Sequence, residues 1–226
     1  MFCRSASRLS RKLLSKITFG SFLVYAPRGT SEISNRAKQF VRALKEERFI
    51  GAPPQSPSQF AARRLAERRP NRVMEEVFGA APLLVPVPRS SRPVDGGIWP
   101  AYNIASALVA NGIGSAVLPC LQRRKAIPKS AFAASGSRPK PLDHYDSIAA
   151  ATMLADRREL CLVDDVITKG ATLLAAASRL LETYPNANIV AFALVRTLGF
   201  VEEIERIVEP AVGTITLRGD EALREP

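Results

Sequence analysis

At 226 residues and 24.6 kDa, with 46% hydrophobic and 23% charged residues, the chain can bury a full core and is far from the composition of a disordered protein. No apolar run approaches the roughly 18 to 20 residues that cross a bilayer, which sets aside a membrane-spanning helix. Cys3, Cys120 and Cys161 are too widely spaced for a CxxC metal knuckle and odd in number, which argues against a disulfide framework and for a reducing, cytoplasmic setting.

The formal net charge of +11 is unevenly placed. Residues 1–80 hold 16 Lys/Arg against 6 Asp/Glu, a net +10, whereas residues 81–226 hold 16 against 15. The excess is spread over a tail and two helices, without an RNP box, zinc finger or aromatic–basic interleaving. A solvated basic face is therefore favoured, with nucleic acid kept as a second partner class.

Residues 1–20 carry five Lys/Arg, no acid and four serines, a composition shared with organelle transit peptides. The plainer reading makes 1–22 a basic extension, disordered or targeting, ahead of one domain over 23–226. Ile33, Ala37, Phe40, Val41 and Leu44 then form one apolar helical stripe, with Thr30 or Ser31 able to cap it. Residues 51–57 form a Pro-rich linker. A second basic helix spans about 58–69, stopped by Pro70, and Asn71 caps a short third one to Phe78. Residues 83–87 read as a short buried strand, 101–110 as a helix entered through Pro100, and 115–118 as a brief strand. Residues 121–146 show no apolar period and hold six Lys/Arg, two Asp, three Pro and one Gly, which predicts a long mobile loop. Residues 160–163 read as a strand, 171–183 as an Ala/Leu-rich helix, and 188–195 as another strand. Continuous apolar strands joined by helical crossovers predict an α/β fold, an open, mostly parallel sheet of about five strands flanked by helices.

The chemistry is concentrated in the segment Leu160-Cys-Leu-Val-Asp-Asp-Val-Ile-Thr-Lys-Gly-Ala-Thr172. An apolar strand ends in two adjacent carboxylates, Asp164 and Asp165, at the sheet edge where open α/β folds bind ligands. The loop Thr168-Lys169-Gly170-Ala171-Thr172 opens directly into a helix. Gly170 permits a close backbone approach, the threonines offer hydroxyls, and the helix start offers free N–H groups and a positive dipole end. Such a loop suits a phosphate, and carboxylates beside it make sense if they grip sugar hydroxyls. It is neither a Walker A loop nor a Rossmann fingerprint, because the required glycines and lysine spacing are missing.

This arrangement resembles the motif with which type I phosphoribosyltransferases bind 5-phosphoribosyl 1-pyrophosphate (PRPP). The resemblance extends from about Tyr25 to the end of the chain. Leu83-Leu-Val-Pro-Val-Pro-Arg-Ser-Ser91 is similar to the strand and pyrophosphate loop of that family, with Arg89, Ser90 and Ser91 in the binding positions. The Val-Pro-Val-Pro start is most similar to the ComF-like branch. That branch's zinc-knuckle cysteines are absent, however, and residues 92–99 replace its usual segment after the loop. The resemblance implies Mg²⁺-dependent transfer of ribosyl phosphate from PRPP to a nucleobase or related amine, with release of pyrophosphate. It implies that Asp164 and Asp165 hold the ribose 2′- and 3′-hydroxyls and that residues 168–172 hold the 5′-phosphate. It further implies that a lid at about 121–146 supplies a cation from Arg123, Arg124, Lys125 or Lys129. Mg²⁺ would be held by substrate oxygens and water, with no direct protein ligand. The family often forms dimers, so a homodimer is an expected assembly, and no membrane partner is expected. The alternative on the same fold is a non-catalytic PRPP-sensing or nucleic-acid-associated regulatory module.

Smaller signals carry two readings each. His144, the sole histidine, either assists proton transfer from the lid or, as the favoured reading, pairs with Asp143 or Asp146 at a hinge. Trp99 and Tyr102 either stack on an acceptor base or anchor the helix beside them.

Overall fold

The computed structural model describes residues 13–91, 97–128, 139–153 and 159–226. The readings for residues 1–12, for 92–96, for Lys129 and for the centre of the 121–146 loop lie outside them. In chain order the elements are β1 (Lys16–Tyr25), α1 (Glu32–Glu46), α2 (Pro57–Ala66), α3 (Arg72–Glu76), β2 (Leu83–Pro86), α4 (Pro100–Ala110), β3 (Ala116–Val117), β4 (Leu121–Arg123), α5 (Pro141–Ser147), β5 (Ile148–Ala150), β6 (Glu159–Ile167), α6 (Ala171–Thr183), β7 (Asn188–Thr197), β8 (Val208–Arg218) and β9 (Glu221–Glu225).

The helix starts follow the capping rules. Ser31 Oγ accepts from Ser34 N at 3.2 Å, Ser56 Oγ from Gln59 N at 3.3 Å, and Asn71 Oδ1 from Met74 N at 3.1 Å. Pro57 and Pro100 occupy first-turn positions where no N–H is needed.

Seven strands form one sheet in the order β3-β2-β6-β7-β1-β8-β9. β3, β2, β6, β7 and β1 run parallel, and β8 and β9 add an antiparallel edge. β4 and β5 pair separately. α6 covers one face, burying Leu173, Leu174 and Leu180 against Phe19, Leu162, Ala191 and Ile215. α1 to α4 cover the other, where Leu44, Leu65, Val73 and Leu108 meet Phe22, Val163, Phe192 and Leu194. The result is a three-layer α/β/α arrangement whose parallel strands are apolar on both faces.

The structure corrects three expectations. Residues 16–22, read as part of an extension, begin β1, which lies between β7 and β8 with Phe19 and Phe22 fully buried. The basic composition ahead of this segment hid a run, Ile17-Thr-Phe-Gly-Ser-Phe-Leu-Val24, that is apolar enough for an interior strand. The sheet has seven strands rather than about five, because β1, β8 and β9 were not anticipated. The 121–146 segment is not one loop, since it begins with β4 and ends with α5. Arg179 stacks over the Tyr145 ring at 3.6 Å to the centroid, and Tyr145 is hydrogen-bonded to Glu182, so α5 is clamped onto α6. Among the described residues no helix is long and apolar enough to cross a membrane.

Candidate active site

β6 runs through both carboxylates to Ile167, four residues beyond the predicted end. Its ladder with β7 pairs Asp164 with Ala193 and Val166 with Val195, passing over Asp165. The local departure is filled by the acids themselves. Asp164 Oδ1 accepts from Asp165 N at 2.9 Å, and Asp165 Oδ1 accepts from Val166 N at 2.8 Å. Asp164 is half-buried. Desolvation, reinforced by the adjacent Asp165 carboxylate, pushes it well above the usual carboxylate range. A desolvated acid beside a second carboxylate at a strand end is an environment of the kind that functional sites concentrate.

The chain then turns into α6 through Gly170, whose φ of 89° lies in the left-handed region. A small hollow, open to solvent, is lined by Pro139, Asp164 and residues 166–173. The first-turn N–H groups of α6 have no helical partner of their own, which makes this hollow a natural oxyanion cradle. A Cβ at Gly170 would come within 2.8 Å of three carbons of Ile215 on β8. Gly170→Ala should therefore cost about 2 to 4 kcal/mol, from the left-handed strain and the overpacking together, as measured by urea unfolding. A loss below 0.5 kcal/mol would show that the loop tolerates a side chain there. Lys169 is ion-paired with Glu221 at 2.6 Å, so its ammonium is drawn to the β8–β9 hairpin rather than standing free at the lip.

β2 lies beside β6, and Val87 N extends their ladder by donating to Val163 O at 2.9 Å, so the segment after β2 leaves the sheet next to Asp164. Its carbonyls are taken up by the protein one after another. Val87 O accepts from Trp99 Nε1 at 2.8 Å, Pro88 O from Arg123 Nη2 at 3.2 Å, Arg89 O from Arg123 Nε at 2.8 Å, and Ser90 O from Ile127 N at 3.0 Å. Arg89 itself is exposed and donates to Ile98 O at 2.6 Å.

Arg123 was a lid candidate, and the structure gives it a different place. It is 4% exposed on β4, its Nη1 donates to Ser147 Oγ at 2.6 Å, and it is close enough to Asp164 to interact with it by charge. Burial lowers it to about 10, with Asp164 opposing that shift. It holds the Pro88 and Arg89 carbonyls, which commits its guanidinium to the segment after β2 rather than to a free position over a substrate. Arg124 and Lys125 are exposed, and Lys129 lies outside the described residues.

His144 is 3% exposed, and its Nδ1 lies 3.3 Å from Thr172 Oγ1. In place of the predicted Asp143 or Asp146 pairing it contacts the 168–172 loop, and Nε2 has no hydrogen-bond partner among the described residues. Burial first, and the Arg123 charge second, lower His144 to about 4, with Asp143 opposing. An unfolded histidine titrates near 6.5, so protonation favours the unfolded chain. The contribution of neutral His144 is complete above pH 6.5 and is lost as pH falls toward 4, to a total of the order of 3 kcal/mol. Asp164 acts in the opposite sense, because a raised acid stabilises at low pH and loses that contribution as pH rises through its folded value. His144→Asn should flatten the fall in stability between pH 6.5 and 5, followed by chemical denaturation at each pH. An unchanged slope would remove His144 as its source.

Trp99 supports the anchoring reading through its bond to Val87 O and its stacking on Tyr102, with ring centroids 5.6 Å apart. The sequence reading missed the contributions of Arg123 and His144 to the loops and missed the β8–β9 hairpin altogether. The hairpin was signalled by the alternation Val212-Gly-Thr-Ile-Thr-Leu217 before a Gly219-Asp220 turn.

No protein-family model matches the chain, and no curated protein does. Among solved structures it is similar to a crystal structure of adenine phosphoribosyltransferase, at 18% identity and a TM-score of 0.38, over 71% of this chain and 91% of that one. At that TM-score the likeness carries no weight for function, which rests on the residues described above.

Proposed function

We propose that the chain is a Mg²⁺-dependent phosphoribosyltransferase of the type I class that uses PRPP. The observation that carries this reading is the passage, within nine residues, from two adjacent, half-buried acids on β6 through the left-handed Gly170 into the start of α6. Asp164 and Asp165 would hold the ribose hydroxyls, residues 168–172 the 5′-phosphate, and Arg89, Ser90 and Ser91 the pyrophosphate. The bond from ribose C1 to the pyrophosphate oxygen breaks, with its electron pair leaving on pyrophosphate. A new bond forms from C1 to a nitrogen of a nucleobase or related amine, which gives its proton to solvent. The work left to the protein is positioning and charge stabilisation at a water-poor site.

Both Oδ1 atoms of the acidic pair already accept backbone amides, and among the described residues no group of three His, Cys, Asp or Glu could hold an ion. Mg²⁺ would be carried by the pyrophosphate oxygens and water. When bound, the ion would neutralise the leaving group. The exposed arginines of α2 and α3 are matched by acids, Arg64 with Glu67 and Arg72 with Glu76, which is the pattern of a solvated face. The reading is tested by PRPP-dependent pyrophosphate release across a panel of nucleobases and heteroaromatic amines. Release with one acceptor supports it, and binding of PRPP with no release across the panel would leave the sensing module as the better account.

A further inference from the structure

The edge of the sheet nearest the 168–172 loop carries positive charge that the described residues do not fully neutralise. Arg224 of β9 faces Ile215 across the β8–β9 ladder. Its side chain reaches across the sheet, with Cζ 6.0 Å from the Phe19 ring centroid and Nη2 donating to Thr197 O of β7 at 2.7 Å. Nε and Nη1 of Arg224 are buried and have no acceptor among the described residues. Arg196 of β7, close enough to act on Arg224 by charge, is 5% exposed. Its two terminal nitrogens donate to the carbonyl and carboxylate of Glu209, while its buried Nε has no acceptor among the described residues. Arg196 thus shares the Glu209 carboxylate with the exposed Arg206, Arg224 has no carboxylate partner among the described residues, and the two desolvated guanidiniums leave three donor atoms unmet. Proteins rarely keep that arrangement, because unpaired buried charge is strongly destabilising. Burial, followed by repulsion from Arg196, brings Arg224 down to about 10.

The pair adjoins the phosphate loop. Thr197, whose carbonyl Arg224 holds, has its Oγ1 3.5 Å from Thr168 Oγ1. Gly170 lies against Ile215, the register partner of Arg224. The Arg196 and Arg224 guanidiniums, set against the single Glu209 carboxylate on which Arg206 also draws, leave a net positive charge behind the loop, and the start of α6 adds a partial charge of about +0.5 in front of it. A doubly charged, tetrahedral group with several acceptor oxygens meets this environment better than a planar monoanion does.

We propose that Arg196 and Arg224 are the rear cations of an oxyanion site whose front is the 168–172 loop, and that it selects a dianionic phosphate group over a carboxylate. The inference rests on the proposed function only in taking that loop as a phosphate cradle. Arg224 is a positioning residue here, acting from behind the loop and not on the reacting carbon. Its uncompensated charge costs the ligand-free protein stability and is compensated when phosphate binds.

The test compares the full chain with Arg224→Met, with Arg224→Gln serving if the first variant does not fold. Inorganic phosphate, ribose 5-phosphate, PRPP and benzoate are titrated by calorimetry, and melting temperature is recorded without ligand. The expected result is a variant at least as heat-stable as the parent when empty, with affinity for phosphate and ribose 5-phosphate reduced about tenfold or more, as expected for loss of a charge-assisted contact. Benzoate should bind at least tenfold more weakly than phosphate to the parent. A variant that melts earlier and binds phosphate within twofold of the parent would reduce Arg224 to a cap on the Thr197 carbonyl and overturn the proposal. Equal binding of benzoate and phosphate would overturn it as well. Phosphate binding that depends on Arg224 without any PRPP binding would uphold it while removing the phosphoribosyltransferase reading. PRPP turnover that Arg224→Met leaves unchanged would do the reverse.

Discussion

Replacing Asp164 and Asp165 together by asparagine should abolish the Mg²⁺-linked thermal stabilisation by PRPP while leaving the empty protein folded. For the parent chain, linkage predicts about 2.7 kcal/mol of stabilisation at a hundredfold excess of ligand over its Kd. The variant should lose this because the two carboxylates are the acceptors proposed to take the ribose hydroxyls. It should not lose stability of its own at neutral pH. Burial and the Asp165 charge hold Asp164 well above the ordinary carboxylate range, so ionising it costs the folded state more as pH rises, and asparagine removes that cost. Ribose 5-phosphate should still bind the variant weakly, since the 168–172 loop is untouched. A PRPP shift of parental size in the double variant would refute the assignment of these residues. No shift in either protein, with phosphate still bound, would leave an anion site without the sugar recognition proposed for it.

Deleting residues 1–22 should abolish cooperative folding. The deletion removes the first seven residues of β1, a strand hydrogen-bonded on both sides, to β7 and to β8. It takes away Ile17, Phe19 and Phe22, all buried. A buried Phe→Ala change alone costs about 3 to 5 kcal/mol, and a domain has about 5 to 15 kcal/mol to lose in total. Loss of the β7 and β8 ladder bonds leaves buried backbone groups unpaired as well. Phe22→Ala is the graded companion and should lower stability by about 3 to 5 kcal/mol in urea unfolding. A truncated chain that still melts cooperatively within a few degrees of the parent would mean that β1 is dispensable.

The two predictions bracket what could be read from the order of residues. The β6-loop-α6 unit was legible because its signals are local: an apolar run, two acids, a glycine and an Ala/Leu helix lie consecutively, and each acts within a few residues of its neighbours. The caps Ser31 and Asn71 and the first-turn Pro100 were legible for the same reason. β1 was not, because its strand character depends on burial between β7 and β8, partners about 170 to 200 residues away, and its neighbourhood in sequence is dominated by Arg and Lys. Arg123 shows the same limit from another side. A basic residue in a polar loop reads as a mobile cation, yet it is desolvated and committed to the carbonyls of Pro88 and Arg89.

The sequence by itself determined the α/β class, helices α1 to α4 and α6 to within a few residues, and the residues from which the candidate site is drawn, since propensity, capping and strand hydrophobicity are short-range properties. Only the tertiary structure decided which charges are shared. His144 meets Thr172, Lys169 meets Glu221, and Arg224 crosses the sheet to Thr197. Each of these contacts is made by strand order and register, which are set by burial summed over the whole sheet and leave no mark in any one stretch of sequence.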